Sequence, residues 1–340
     1  MYKYAMRLRY MRKILVCAAV AALLGCAHKV STSVLMPSDA DGISSYRNVA
    51  VLPFSGSYGK QLTPSAENVL VTTEVRGVRY FNVADRQNLN RVISEQKLQV
   101  SGVTDENTAV KLGRLVGVQG IFTGTADITS DRSNYTERRT KCGATNSKGK
   151  CTSYYDYNVT CTKKKVLVTF IPKLIDVSTA QVVYSEKITG AAEDNRCQDS
   201  GSPLMSDADL IKSAENSAMY EFRRQIAPYS ADVKLTLLTS KSGLDGDGKD
   251  MLKSAQKFAE AGRLDRACAI WTDGMAKYPK SPSFIFNIGV CRETEAKYEE
   301  ALELYMKADA QTDEPDKVIG EAMDRVRQRI ADKDRLKKQL

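Results

Sequence analysis

The chain has 340 residues, enough for about two domains of ordinary size. Its formal net charge is +9, but five of the 50 basic residues and none of the 41 acidic residues precede Cys26, so the remainder carries 45 basic and 41 acidic residues. A surplus of four positive charges is too small to indicate nucleic-acid binding. The single histidine, His28, lies two residues past Cys26, a position that argues against a Ser-His-Asp catalytic set, and one histidine is too few for a histidine-based zinc site. We therefore expect neither an enzyme nor a bound cofactor.

Residues 1–25 have the order of a secretory signal, with five basic side chains followed by an apolar run too short to span a bilayer. Leu-Leu-Gly-Cys at residues 23–26 resembles the lipobox of bacterial lipoproteins, which are cut before a cysteine that becomes lipid-modified. The resemblance implies that Cys26 carries acyl chains such as palmitate. Ala27, where an aspartate would retain the protein at the inner membrane, implies the periplasmic face of the outer membrane. An ordinary secretory signal is the alternative.

Residues 26–46 are polar, and we predict a tether from the membrane to the first domain. From residue 47 to residue 228, short apolar runs alternate with amphipathic segments of helical period. The first run, at residues 49–54, is continuous, as is typical of a strand buried on both faces. The pattern predicts an α/β domain.

Residues 129–165 interrupt this domain with a polar stretch rich in Ser, Thr, Lys and Arg. Tyr155, Tyr157 and Val159 alternate with polar residues, which predicts a two-faced strand. We therefore expect a long hairpin excursion.

Six cysteines follow Cys26, and an even number outside the cytoplasm indicates disulfides. The candidates form two groups: Cys142, Cys151, Cys161 and Cys197 in the first, and Cys268 and Cys291 in the second. Three pairings are open for the first group. The second group fits either a disulfide or two small core residues equally well.

Three motifs carry a family resemblance: Val-Ala-Val-Leu-Pro-Phe at 49–54, Tyr-Phe-Asn-Val-Ala-Asp-Arg at 80–86, and Leu-Ile-Asp-Val-Ser-Thr-Ala at 174–180. Residues 47–228 are similar to the CsgG-like family of curli-export channel lipoproteins and, more loosely, to the lipoprotein activators of peptidoglycan synthases. In the export channel two hairpins form a transmembrane barrel. The charged run at 130–139 conflicts with that use, because each Arg or Lys on a midplane lipid face costs about 2–4 kcal/mol. We expect a disulfide-pinned periplasmic excursion.

Residues 229–248 read as a linker, and the pattern of residues 249–312 repeats with a period of 34. The period, with small residues alternating with large ones, resembles the tetratricopeptide repeat and predicts two such units. The alternative is two helical hairpins with a coincidental period. The final helix, 313–340, would cap the array. The predicted repeat core is Ala255, Phe258, Gly262, Leu264, Ala267, Trp271, Gly289, Tyr298, Ala301 and Tyr305.

Together these features predict a non-enzymatic outer-membrane lipoprotein that serves as a periplasmic scaffold or assembly factor. A protein partner is expected on the concave face of the repeats, and the α/β domain is expected either to self-associate or to dock an envelope machine. The two alternatives are a subunit of a CsgG-like secretion channel and a regulator of a peptidoglycan synthase.

Overall fold

The computed structural model describes residues 28–95 and 106–340. They form two units: a sheet unit (residues 36–229 and 335–340) and a helical unit (residues 28–35 and 230–334). The strands are β1 (Lys29–Met36), β2 (Asn48–Val51), β3 (Glu74–Val75), β4 (Val78–Arg79), β5 (Asn82–Val83), β6 (Gly120–Thr145), β7 (Cys151–Asp176), β8 (Val182–Ser185), β9 (Ile188–Cys197) and β10 (Tyr229–Thr236). The helices are α1 (Gly59–Thr72), α2 (Arg86–Glu95), α3 (Glu106–Val116), α4 (Asp207–Ile226), α5 (Gly246–Glu260), α6 (Leu264–Lys277), α7 (Pro282–Thr294), α8 (Tyr298–Asp309) and α9 (Lys317–Gln339).

The sheet unit is built on a mixed sheet with the strand order β5–β2–β6–β7–β8, and β9 also pairs with β7. Strand β2 runs parallel to β5 and β6, whereas β7 runs antiparallel to β6, β8 and β9. Of the strand predicted at residues 49–54, residues 49–51 lie in β2 and are buried, as expected where helices cover both faces of a sheet. The α/β class predicted for this domain is confirmed.

Helices cover the two faces of the sheet. On one face, Leu89 of α2 and Leu112 of α3 pack against Ile121 and its neighbours. On the other face, Phe222 of α4 makes edge-to-face contacts with Phe122 and Phe170, and such aromatic pairs add about 0.5–1.5 kcal/mol beyond burial. The domain core therefore lies on both sides of β6 and β7.

Two predicted boundaries differ from the structure. The segment 26–46, predicted as a tether, contains β1 and a 3₁₀ turn at Ile43–Ser45 whose Ile43 is fully buried. The segment 229–248, predicted as a linker, begins with β10, which pairs with β1. Strands β1 and β10 are rich in Ser, Thr, Lys and Asp, and they pair with each other although they lie about 200 residues apart in the chain. Their polar composition therefore suggested tether and linker instead of strands.

The helical unit contains two antiparallel helix pairs, α5 with α6 and α7 with α8, followed by α9. Its core holds Trp271, Phe284 and Tyr305, all fully buried, together with Ile319 and Val326 of α9. The predicted helical character of this region is confirmed. Within residues 28–95 and 106–340, no helix combines the length and apolar character needed to span a bilayer.

Candidate functional site

The most prominent feature of the sheet unit is the far end of the β6–β7 hairpin, residues 136–160, which we call the arm. Strand β9 accompanies β7 only from Cys161 to Phe170, whereas β6 and β7 stay paired out to Thr145 and Cys151. At about 3.4 Å per residue, the arm extends roughly 30 Å beyond the last β9 pairing. The structure thus gives the excursion predicted at 129–165 a defined form, a two-stranded ribbon.

Two disulfides brace the arm. Cys142 and Cys151 are joined next to the turn that connects the strands, and Cys161 and Cys197 are joined at the arm's base, where they face each other across β7 and β9. Of the three pairings that the sequence left open, the structure has this one. One bond ties β6 to β7 at the tip of the arm, and the other ties β7 to β9 at its base.

A small cluster at the arm's base stiffens it further. Val159 and the Cys161–Cys197 disulfide are buried, and Tyr157 packs against them. The hydroxyl of Tyr157 donates to Asp199 at 2.5 Å, and the guanidinium of Arg139 donates to the same carboxylate at 2.7 Å. These two contacts hold the pKa of Asp199 below its usual range. The arm is therefore attached through a packed and charge-paired base.

Charged side chains occupy both faces of the arm. Arg138 forms an ion pair with Asp156 on one face, at 2.7 Å, while Lys141 lies on the opposite face beside Tyr155. Between Glu137 and Asp156 the sequence contains five basic residues and no acidic residue. Neither face is an apolar stripe of the kind that faces lipid in a transmembrane barrel.

Glu137, Cys161 and Cys197 bring three potential metal-ligating atoms close together. The arrangement does not fit a metal, because a cysteine ligates as a thiolate and these two sulfurs are bonded to each other. The carboxylate of Glu137 is also paired with the guanidinium of Arg139, at 3.2 Å. We assign these residues to bracing the arm.

An open cavity of about 660 Å³ lies at the end of β7 in the sheet unit, lined by Tyr46, Arg114 and Asp176 among others. The hydroxyl of Tyr46 donates to Asp176 at 2.6 Å, and the same carboxylate accepts hydrogen bonds from Ser178 and Thr179. Burial and the bond to Asp176 raise the pKa of Tyr46 to about 12. Because the oxygens of Asp176 already accept these hydrogen bonds, the carboxylate is poorly suited to act as a general base.

Glu215 of α4 is a buried carboxylate that joins two helices of the sheet unit. It accepts hydrogen bonds from Ser65 at 2.5 Å and Tyr58 at 2.7 Å, and Lys212 donates to it at 3.1 Å. Burial by itself would raise the pKa of Glu215, but these donors outweigh it and hold the pKa below its usual value. The network ties α1 and the residue before it to α4.

In the helical unit, the predicted repeat positions lie where helices touch. A Cβ atom at Gly289 of α7 would lie 2.6 Å from Cε1 of Tyr305 on α8, and one at Gly274 of α6 would overlap the ring of Phe284. Small residues are therefore required at these crossings because large rings fill the space opposite. Of the remaining predicted core residues, Ala255, Ala267 and Ala301 are fully buried, Phe258, Leu264 and Tyr298 are partly buried, and Gly262 ends α5 with a positive φ of 75°.

Cys268 and Cys291 form a disulfide that joins α6 to α7. A buried ion pair adds a second tie: Arg325 of α9 donates twice to Glu293, at 2.7 and 2.9 Å, and Tyr305 donates to the same carboxylate at 2.7 Å. Sequence reasoning missed this network, because Glu293 lies beside Arg292 at the polar end of α7 and so resembles an exposed residue.

A third feature of the helical unit was also missed: Asn287, fully buried in the middle of α7. Its side-chain oxygen accepts the backbone N–H of Leu238, and its amide nitrogen donates to the backbone oxygen of the same residue, both at 3.0 Å. Ser283, one turn earlier, donates to the backbone oxygen of Ser240 at 2.7 Å. One face of α7 thus holds an extended piece of the chain by its backbone.

Two predicted positions remain. Cys26 lies outside the described residues. His28, predicted as part of a tether, directly precedes β1, and its ring nitrogen contacts the carboxylate of Glu260.

Comparison with solved structures gave distant similarities. The LpoB C-terminal domain from Salmonella enterica is 15% identical with a TM-score of 0.27, and the match covers 44% of this chain and 86% of that one. The PelC dodecamer from Paraburkholderia phytofirmans is 18% identical with a TM-score of 0.25, over 58% of this chain and 98% of that one. Lipoprotein GNA1162 from Neisseria meningitidis is 12% identical with a TM-score of 0.23, over 48% and 90%.

A search among curated proteins found no match. A family model does match: "Curli production assembly/transport component CsgG" covers residues 27–201, just over half of the chain, and includes β2 to β9 and the whole arm. The chain therefore belongs to the CsgG family.

Proposed function

We propose that this protein is a lipid-anchored, non-enzymatic assembly factor of the bacterial envelope. It is held at the outer membrane through acylated Cys26, with both units in the periplasm. Three observations support the proposal: the family is described as an assembly and transport component, residues 23–26 resemble a lipobox, and the single histidine leaves no histidine-based catalytic set. Three disulfides within the described residues suit an oxidising compartment.

The observation that carries the proposal is the free backbone edge of the arm. The hydrogen bonds that β6 makes to Leu52 and Ser55 come from its even-numbered backbone groups. The register stays regular as far as Cys142, so Thr136 and Thr140 direct their N–H groups outward, where no described strand pairs with them. An exposed edge is a template for a strand from another chain. We infer that copies associate arm to arm.

Light scattering on the full-length protein in detergent tests this inference. We expect an oligomer for the wild type and a monomer for Thr136→Pro with Thr140→Pro, because proline removes the outward N–H groups while leaving the bonds to β7. The matched control, Thr136→Ala with Thr140→Ala, keeps both N–H groups and should remain oligomeric. A strictly monomeric wild type would refute assembly through the arm.

The helical unit is proposed to supply a second contact as a pair of tetratricopeptide-type repeats. The 34-residue correspondence supports this, since Trp271 and Tyr305 are equivalent positions and both are fully buried. Crosslinking in intact cells followed by purification from membranes tests this second contact. A protein that is crosslinked to the wild type should no longer be recovered with variants that carry substitutions on the surface of the helical unit. Recovery of identical partners from wild type and surface variants would count against a role for the repeats.

A secretion-channel subunit is the second candidate, because the family description includes transport. The arm argues against it, since basic side chains lie on both of its faces. Planar-bilayer conductance separates the two functions. Discrete channels from the purified protein would favour the channel, and their absence from an oligomeric preparation would favour the assembly factor.

A further inference from the structure

The end of the arm, residues 141–155, carries positive charge that the rest of the chain does not neutralise, and we call this end the tip. Nearer the base of the arm, Arg138 pairs with Asp156 and Arg139 pairs with Asp199, both at 2.7 Å. The tip contains no acidic residue and has three exposed lysines: Lys141, Lys148 and Lys150. No carboxylate of residues 28–95 and 106–340 forms an ion pair with these lysines. The arm is therefore charge-paired at its base and cationic at its tip.

The turn of the tip holds two of these lysines on a fixed backbone. The side-chain oxygen of Asn146 accepts the backbone N–H groups of Lys148 and Lys150, both at 3.0 Å, and the N–H of Asn146 donates to the backbone oxygen of Lys150 at 2.9 Å. Gly149, between the two lysines, has a positive φ of 73°, which glycine adopts without strain. A disulfide lies directly behind the turn. Because the backbone is preorganised, a ligand bound through these lysines requires little ordering of the main chain.

Two exposed tyrosines accompany the lysines. Tyr154 is 70% exposed and Tyr155 is 51% exposed, and as neighbours in β7 they point to opposite faces of the ribbon. Lys141 lies across from Tyr155 in the register of β6 and β7. Tyrosine suits the boundary between water and lipid, because its ring is apolar and its hydroxyl is polar. Residues 141–155 contain no Val, Leu, Ile, Met, Phe or Trp, so the tip lacks side chains that would enter the acyl region of a bilayer.

The shape of the tip favours a flat anionic partner. The lysines lie at the end of a narrow ribbon and the tyrosines on both of its faces, so the cationic surface wraps around the end of an arm that projects roughly 30 Å. A partner bound to one face would contact only one of the two tyrosines, whereas a plane met end-on contacts both of them and the lysines. A lysine ammonium attracts phosphate as a point charge and needs no fixed pairing geometry, which suits mobile lipid headgroups.

We propose that the tip is a peripheral membrane-binding site, which docks on the phosphate headgroups of an anionic bilayer without inserting into it. The contact adds an attachment that is separate from the proposed acyl chains on Cys26, at the far end of a braced ribbon. It goes beyond the proposed function and does not rest on the lipid anchor, because a chain that lacks Cys26 retains every residue of the tip.

Vesicle co-sedimentation tests the proposal with the chain from residue 27 to residue 340, which contains every described residue and no acylation site. In about 0.1 M salt this chain should sediment with vesicles of phosphatidylglycerol and phosphatidylcholine in equal parts, and not with vesicles of phosphatidylcholine alone. Each lysine near an anionic surface contributes about fivefold in affinity. The triple variant Lys141→Gln, Lys148→Gln, Lys150→Gln should therefore bind the anionic vesicles about a hundredfold more weakly.

The matched control removes the same charge from three exposed lysines elsewhere in the sheet unit and should still bind: Lys60→Gln, Lys111→Gln, Lys187→Gln. All six positions are exposed, so both triple variants should fold, and a cooperative melt followed by the fluorescence of Trp271 verifies this. Replacing Tyr154 and Tyr155 with Ser should weaken binding further in the wild-type background without removing the preference for anionic lipid.

Three results would overturn the proposal. Equal losses of binding in the two triple variants would trace the effect to net charge and not to the tip. Binding that persists in about 1 M salt, where charge attraction is screened, would indicate insertion into the bilayer. A wild type that ignores the vesicles but sediments with peptidoglycan through the same lysines would assign the tip to the cell wall. The variant Thr136→Pro with Thr140→Pro keeps all three lysines and should still prefer anionic vesicles, so the tip and the association of arms can fail separately.

Discussion

Substituting Gly289 with alanine tests the packing of the helical unit most directly. The added Cβ would lie 2.6 and 2.8 Å from two ring atoms of Tyr305, closer than real Cβ contacts. The ring of Tyr305 is held in place, because its hydroxyl donates to buried Glu293 and its centroid lies 4.7 Å from the ring centroid of Phe286. Overpacking of this kind costs about 1–3 kcal/mol, whereas alanine in place of glycine in a helix contributes about 1 kcal/mol of stability. Subtracting the second effect from the first leaves a net destabilisation of about 0–2 kcal/mol, which is about 1–3 kcal/mol relative to a glycine-to-alanine change without the clash.

Urea denaturation monitored by Trp271 measures this effect, because Trp271 is the chain's single tryptophan and is fully buried in the same unit. The matched control is Gly320→Ala in α9, where an added Cβ meets no atom within 4 Å. This variant should gain about 0.5–1 kcal/mol from helix propensity alone. If Gly289→Ala were as stable as Gly320→Ala, the argument from the Tyr305 contact would be wrong.

Three further predictions concern the polar networks and the arm. Replacing Arg325 with Gln should destabilise the helical unit by roughly 3–5 kcal/mol in urea denaturation, because the buried carboxylate of Glu293 loses its positively charged partner. Adding Glu293→Gln should restore part of the loss, and no restoration would contradict the pairing argument. The variant Glu215→Gln should be less stable than the wild type at neutral pH. Because the folded-state pKa of Glu215 is lowered, the difference in melting temperature between the two proteins should shrink as the pH falls through and below about 4.5. A difference that does not change with pH would count against this reasoning. Replacing Cys161 and Cys197 with Ser should speed tryptic cleavage in the arm by loosening its base, as measured by mass spectrometry, and unchanged cleavage would show that the other contacts suffice.

The sequence allowed the fold of the sheet unit to be predicted wherever the signal was local. The apolar run at residues 49–54 indicates the buried strand β2. Ser206, just before a segment of helical period, is typical of an N-cap residue, and its hydroxyl accepts the N–H of Asp209 at 3.1 Å. The start of α1 has a misleading local signal. Thr63 followed by Pro64 is typical of a helix N-terminus, but α1 begins at Gly59, where the absent side chain lets the helix approach the backbone of Phe54.

What the sequence could not show depends on contacts distant in the chain. The pairing of β1 with β10 and the choice among three disulfide pairings are set by the folded topology and leave no periodic trace. Asn287 had a weak signal, as a lone amide in the apolar run 284–290, but its partner at Leu238 lies in a segment that reads as a linker. This contact therefore required the structure.

The pairing of β1 with β10 sets an order of events during synthesis. Lys29–Met36 is made early, and about 190 residues follow before Tyr229–Thr236 is complete. Until then β1 has no partner strand for its backbone hydrogen bonds, and an unpaired strand is a template for pairing with another chain. A nascent chain that stops before residue 229 therefore carries its first strand without the partner that the finished fold provides.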